Sequence, residues 1–188
     1  MKRTARWTDW EGRGLEHCVL ERNGTGLTLE GVVAGTRDGR YGARYLVRTD
    51  AALRTREVVV RYVSGPELHV LADGEGAWTD VLRDRSLESL EGCLDVDIGV
   101  TPATNTLPIG RLGLGAARSA DVLAAYVPLP SQVDGELLPR PAEQRYTCLE
   151  PGRRYRYEGL FRGFVAELEI DEAGLVIDYP ETFRRIEN

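Results

Sequence analysis

The feature that most constrains this chain is a period-two alternation of apolar and polar residues that restarts after short turns rich in glycine, asparagine and aspartate. Side chains two apart on an extended strand share a face, so each run reads as a half-buried β-strand and each turn as a reversal. Residues 15–21 lead through Asn23-Gly24 into 27–34, a hairpin whose turn tolerates positive φ. Runs at 41–49, 56–63, 68–73 and 77–81 follow, and 121–129, 144–150, 155–159, 164–171 and 174–180 continue the pattern. The expected fold is mainly β: a strongly curved antiparallel sheet or half-barrel with one or two short helices. Leu82, Leu87 and Leu90 before Gly92 predict a helix over 81–92. Residues 114–126 have helix-forming composition, yet 122–127 suit a strand equally.

No linker divides the chain, so a single domain over 1–188 is expected. An offset of 98 residues places 54–61 and 72–78 on 153–159 and 170–176, with Asp73 on Asp171 and Gly76 on Gly174. That pairing suggests a pseudo-duplicated meander, although any antiparallel protein repeats strands and turns.

Composition narrows the function classes. With 24 basic against 30 acidic residues the formal charge is −6, which argues against a nucleic-acid surface. Only "GRRYRYEGLFRGF", 152–164, interleaves arginine with aromatic residues densely, and its alternation also fits a half-solvated strand. No run of 18 apolar residues occurs, so no transmembrane segment is expected, and the N-terminus carries no apolar run after its basic residues. Cytoplasmic residence is the resulting expectation. Cys18, Cys93 and Cys148 lack CxxC spacing and read as buried, reduced thiols.

The central stretch "GCLDVDIGVTPATNTLPIGRL", 92–112, carries the most chemistry. Asp95 and Asp97 alternate with Val96 and Ile98, so both carboxylates share one strand face about 6–7 Å apart. Such a pair can work as acid and base on a glycosidic bond, or accept hydrogen bonds from a turn or a ligand. Thr101, Thr104 and Asn105 both donate and accept, as sugar hydroxyls require, and Pro102 and Pro108 stiffen the loop. The same groups can equally cap their own backbone.

Other chemistries have little support. His17 and His69 stand in no metal-ligand spacing, no serine occupies a GxSxG elbow, and no phosphate-cradling glycine motif is present, so no cofactor is expected. Trp7, Trp10, Trp78, Tyr146, Tyr155, Tyr157 and Tyr179 supply flat apolar faces with polar edges, suited to a core or to stacking on sugar rings. Arg54, Arg56, Arg145, Arg153, Arg154 and Arg156 can grip a carboxylate or phosphate, or pair with acidic residues across strands.

"GLEHCVL" near the start, "RTR" at 54–56, "DGEGAW" at 73–78, the central stretch, "YVPLP" at 126–130, "QRY" at 144–146 and "GLVIDYPETFRR" at 174–185 occur in an order that resembles the bacterial glycolipid-binding family. The resemblance covers nearly the whole chain. It implies a fold similar to the curved half-barrel of lipoprotein carriers such as LolA and LolB. It also implicates Glu16, His17, Arg54, Arg56, Asp73, Trp78, Asp95, Asp97, Thr101, Pro102, Thr104, Asn105, Pro108, Gln144, Arg145, Tyr146, Tyr179 and Pro180. Two rings common in the family are replaced here, by Leu53 before "RTR" and by Ala103 after Pro102.

The expected function is binding of a glycolipid or other amphiphilic small molecule without catalysis. The concave side of the sheet would form an elongated apolar cavity above about 300 Å³, with "TPATNTLP" at its mouth. A small hydrolase using Asp95 and Asp97, and a protein-interaction module built on exposed edge strands, are the alternatives.

Overall fold

Alternation becomes burial strand by strand. In β3 (Gly26–Gly35) Leu27, Leu29, Gly31, Val33 and Gly35 turn inward while Glu30, Val32 and Ala34 face solvent. The computed structural model describes residues 1–186. A ten-stranded sheet takes its first eight strands from β1 (Lys2–Asp9), β2 (Leu15–Asn23), β3, β4 (Tyr41–Thr49), β5 (Thr55–Tyr62), β6 (Glu67–Ala72), β7 (Trp78–Asp80) and β8 (Arg85–Ser86). After the first eight strands the chain forms β9 (Asp95–Ile98), the helix α1 (Thr106–Leu112), β10 (Ser119–Val127), β11 (Arg140–Glu150), β12 (Arg154–Gly159) and β13 (Phe164–Glu169). The chain then returns through β14 (Asp178–Tyr179) and β15 (Phe183–Arg185) to pair with β1. The large sheet runs β14-β15-β1-β2-β3-β4-β5-β6-β7-β8 and the small one β13-β12-β11-β10-β9. The fold is mainly β, with curved sheets in a half-barrel and one short helical region.

Every strand pair is antiparallel except β9 with β10, which run parallel. A parallel pair needs a crossover, and here it passes through the interior. Thr101 to Ile109 are all buried, forming a 3-10 turn at Ala103–Asn105 that continues into α1. Pro108 is tolerated because it lies in the first helical turn, where its missing N–H would have had no intrahelical acceptor. Gly113 ends the helix in the left-handed region, φ 54°. Leu107 and Ala103 reach zero exposure in one core shared with Trp7, Leu20, Leu29 and Tyr45 of the large sheet and Val96, Ile98, Ala124 and Tyr146 of the small one. Full burial of one such leucine contributes about 1.5–3 kcal/mol. The stretch expected at a cavity mouth is therefore a buried crossover that fills much of the concave side.

Gly31 shows how closely a ring on β4 lies over the neighbouring strand of the same sheet. A Cβ there would lie 2.3 Å from Tyr45 Cζ, so only glycine lets the Tyr45 ring lie flat across β3.

The helix expected over 81–92 does not form. Asp80 Oδ1 instead accepts the Leu82 N–H at 3.1 Å, Asp84 turns left-handed at φ 49°, and only a 3-10 turn at Glu88–Leu90 remains. Leu90 reaches the core while Leu82 stays exposed, so the leucine spacing had no common face to bury. Residues 114–126 resolve into a turn and β10. Asn23 Oδ1 closes the β2–β3 hairpin by accepting from the Thr25 and Gly26 N–H groups, at 2.9 and 3.1 Å.

The two turns paired by the 98-residue offset close alike. Asp73 Oδ1 accepts from the Glu75 and Ala77 N–H groups, and Asp171 Oδ1 from those of Ala173 and Leu175. Asp50 does the same with Ala52 and Arg54, at a position outside that offset, so the likeness there is one of turn chemistry.

The expectation of a cytoplasmic compartment does not stand. Among the described residues no helix is long and apolar enough to cross a membrane, and that property carries no information on compartment. The three cysteines are free and buried.

Candidate functional site

A cavity of about 260 Å³ lies where the β14–β15 edge of the large sheet meets the small sheet. Six rings line it: Tyr126 from β10, Tyr157 from β12, Phe161 from the β12–β13 turn, Phe164 from β13, Tyr179 from β14 and Phe183 from β15. Strand alternation points the rings on strands inward, and they meet edge to face or at a tilt. Tyr157 lies 5.3 Å from Tyr146, 5.9 Å from Tyr179 and 6.3 Å from Phe164, centroid to centroid. Such pairs add about 0.5–1.5 kcal/mol each beyond simple burial and hold the rings rigidly. Gly99 closes the floor, where a Cβ would come within 2.7 Å of the Tyr126 hydroxyl. Exposed Phe161 and Arg162 mark the solvent side.

Three charged groups line the space: Asp97, Arg37 and Arg162. Asp97 Oδ2 accepts a 2.7 Å hydrogen bond from Gln144 Nε2 of β11. Burial raises the Asp97 carboxyl above the usual range, against that hydrogen bond and the positive charges of Arg162 and Arg37. Arg37, from the β3–β4 connection, donates through Nη1 to the Gly99 carbonyl at 2.7 Å and stacks 4.8 Å above Phe183. Arg162 donates through Nη2 to Gln132 Oε1 at 3.2 Å and lies 4.4 Å over Tyr126 and 4.8 Å over Phe161.

Thr101 and Asn105 also line the cavity, with their polar groups largely engaged by the protein. Thr101 Oγ1 donates to Glu16 Oε1 at 2.6 Å and accepts from the Ala103 N–H at 3.0 Å. Asn105 Nδ2 donates to the Pro102 carbonyl, and its Oδ1 accepts from the Tyr146 hydroxyl at 2.9 Å. The crossover is thereby tied to the large sheet by Glu16 and to the small sheet by Tyr146. Tyr45 also donates to Glu16 Oε1, at 2.5 Å, while Glu16 Oε2 has no partner among the described residues. Complete burial pushes the Glu16 carboxyl up to about 8.

Of the residues singled out from sequence, the structure gathers Asp97, Thr101, Asn105, Tyr157 and Tyr179 at the cavity. Tyr146 and Thr104 stand directly behind, Thr104 Oγ1 accepting from the Ile98 N–H at 3.3 Å. The others lie elsewhere. Asp95 is buried against Arg111 of α1, whose Nε stands 3.1 Å from Oδ1. Trp78 is buried and donates to the Cys93 carbonyl. Arg54 pairs with Asp50, Arg145 with Asp121, and Arg56 is exposed. His17 occupies β2, its Nδ1 buried without a partner among the described residues. Sequence reasoning missed Arg37, which sits in what read as a plain turn. Arg162, Phe161 and Phe164 lay within the one arginine- and aromatic-rich run. Among the described residues no cluster of three or more histidine, cysteine, aspartate or glutamate side chains is placed to hold a metal.

Comparison with known proteins agrees with this architecture. A crystal structure of a DUF1089 family protein from Pseudomonas aeruginosa is similar over 92% of each chain, with 39% identity and a TM-score of 0.76. No curated protein matches the sequence. A family model described as "Putative glycolipid-binding" matches residues 4–185. With that match running nearly end to end, the chain belongs to this glycolipid-binding family.

Proposed function

We propose that the aromatic cavity binds the sugar head group of a glycolipid or related amphiphile without transforming it. The observation that carries this is the wall of six rings around a space with Asp97, Arg37 and Arg162 at its polar positions. Pyranose rings present C–H faces that pack on aromatic surfaces and hydroxyl edges that need both donors and acceptors. At about 260 Å³ the cavity falls just under the roughly 300–1,000 Å³ usual for small-molecule pockets, which suits one sugar ring rather than a whole lipid. Leu160, Phe161 and Val165 are exposed on the adjoining hairpin and offer an apolar surface along which a tail can lie. Sheltering the tail inside, as in the lipoprotein carriers, is not part of this proposal, because Ala103, Leu107 and Ile109 occupy the concave side.

Hydrolysis is a second reading, favoured by one observation: a carboxyl with a raised pKa faces the cavity. Paired-carboxylate chemistry would need a second carboxyl there, and Asp95 is held by Arg111 and does not line the space. Turnover of a nitrophenyl glycoside, lost in Asp97→Asn, would favour that reading.

Isothermal titration with octyl glycosides, neutral and charged, tests the head-group proposal. Saturable binding is expected, weakened several-fold by Phe161→Ala at an unchanged melting temperature. Absence of saturable binding by every glycoside tried removes the proposal.

A further inference from the structure

The cavity's charge is opposite to that of the protein around it. The chain carries −6 overall, and most cavity-distant arginines on its surface have found a carboxylate: Arg44 pairs with Glu30, Arg61 with Glu67 and Arg145 with Asp121. Arg37 and Arg162 have not. Among the described residues neither makes an ion pair, and each is held by one neutral acceptor and by the face of a ring. A ring face uses up none of the N–H groups, and each guanidinium carries five donors, so most of them stay available. The one carboxyl lining the space is Asp97, already bonded to Gln144. Two cations against one carboxylate, between walls of low polarity, concentrate positive potential where a ligand would sit.

Resting on the head-group reading above, we infer that the ligand's head group is anionic, a sugar bearing a carboxylate or phosphate, and that Arg37 and Arg162 grip that group. The rings select for a sugar; the two guanidinium edges select among sugars. Planar oxyanions match the guanidinium fork, and bonds of this kind are about twice as strong as neutral ones. Asp97 works against the anion, so its removal has a sign of its own.

Titration calorimetry at low ionic strength separates the possibilities. The probes are octyl β-D-glucopyranoside, octyl β-D-glucuronide, free glucuronic acid and glucose 6-phosphate. Octyl glucuronide is expected to bind at least about tenfold more tightly than octyl glucoside. Arg37→Gln and Arg162→Gln should each weaken octyl glucuronide far more than octyl glucoside and so erase most of that preference, and Asp97→Asn should enlarge it. Glucose 6-phosphate or free glucuronic acid binding as tightly as octyl glucuronide would keep the anionic grip and assign it to a free sugar acid or phosphate rather than a lipid. Equal binding of octyl glucoside and octyl glucuronide to the unaltered protein overturns the inference and leaves the head-group reading standing. Failure of all four probes overturns both. The central comparison needs no variant, so a misfolded substitution cannot obscure it.

Discussion

Asp95 and Asp97 stand two positions apart on one four-residue strand and end in opposite chemical situations. Asp95 is buried with both oxygens near the Arg111 guanidinium, Nε lying 3.1 Å from Oδ1 and 3.2 Å from Oδ2. Asp97 has a single amide donor and a cavity in front of it. The strand does not distinguish them; their neighbours do. Helix α1 delivers a cation to position 95, whereas β11 delivers only the Gln144 amide to position 97. A carboxylate enclosed with its counter-ion is committed to the fold, while one held by a neutral donor beside open space can still exchange partners.

That contrast can be broken most forcefully at Arg111. Arg111→Met leaves the Asp95 charge buried alone and is expected to cost about 3–5 kcal/mol in urea unfolding; a loss below about 1 kcal/mol would mean that Asp95 is no more committed than Asp97. Next in size is Tyr146→Phe, which strips the donor from Asn105 Oδ1. A loss of about 1–3 kcal/mol is expected from the orphaned buried acceptor, and no loss would show that the crossover is not anchored through that bond.

Glu16 sharpens the comparison by pH. Its carboxyl, raised by burial to about 8, favours the fold in its neutral form. That contribution is complete below the ordinary glutamate range and is lost as pH rises through about 8. Relative to Glu16→Gln, the unaltered protein should therefore lose stability between about pH 5 and 8, by at most about 1.4 kcal/mol per unit. A difference that stays flat with pH would place Glu16 in contact with water. The smallest effect belongs to Asp97→Asn, which keeps the shape and the Gln144 contact in reach and should move stability by less than about 1 kcal/mol. A larger loss in thermal unfolding would class Asp97 with Asp95.

Much of this fold was legible because strand periodicity is local. The runs at 15–21, 27–34 and 41–49 fall within β2, β3 and β4, and the Asn23-Gly24 turn closes as its chemistry requires. β1 was passed over, although Ala5, Trp7 and Asp9 alternate inward along it. The 81–92 segment misled because helical spacing is informative only if one face has something to pack against. The burial of 101–109 was not legible for a different reason. Its polar groups are satisfied by Glu16 and Tyr146, lying 85 and 41 residues away from the groups they bind, so a stretch that looks water-loving in isolation is dry in the fold. Arg37 and Arg162 belong to connections without periodicity, and nothing in the spacing of residues 37 and 162 brings them to one cavity.

The crossover between β9 and β10 carries a burden that an ordinary hairpin does not. Since those strands run the same way, the intervening chain had to travel the length of the sheet, and its route through the middle makes one connection serve as linker, filling and cavity floor together. Drift in a surface loop is tested only against folding or only against ligand. If the cavity holds the proposed head group, any exchange between Gly99 and Asn105 is tested against both at once, and new preferences would evolve more readily at the opposite rim, around Phe161 and Arg162, than at the floor.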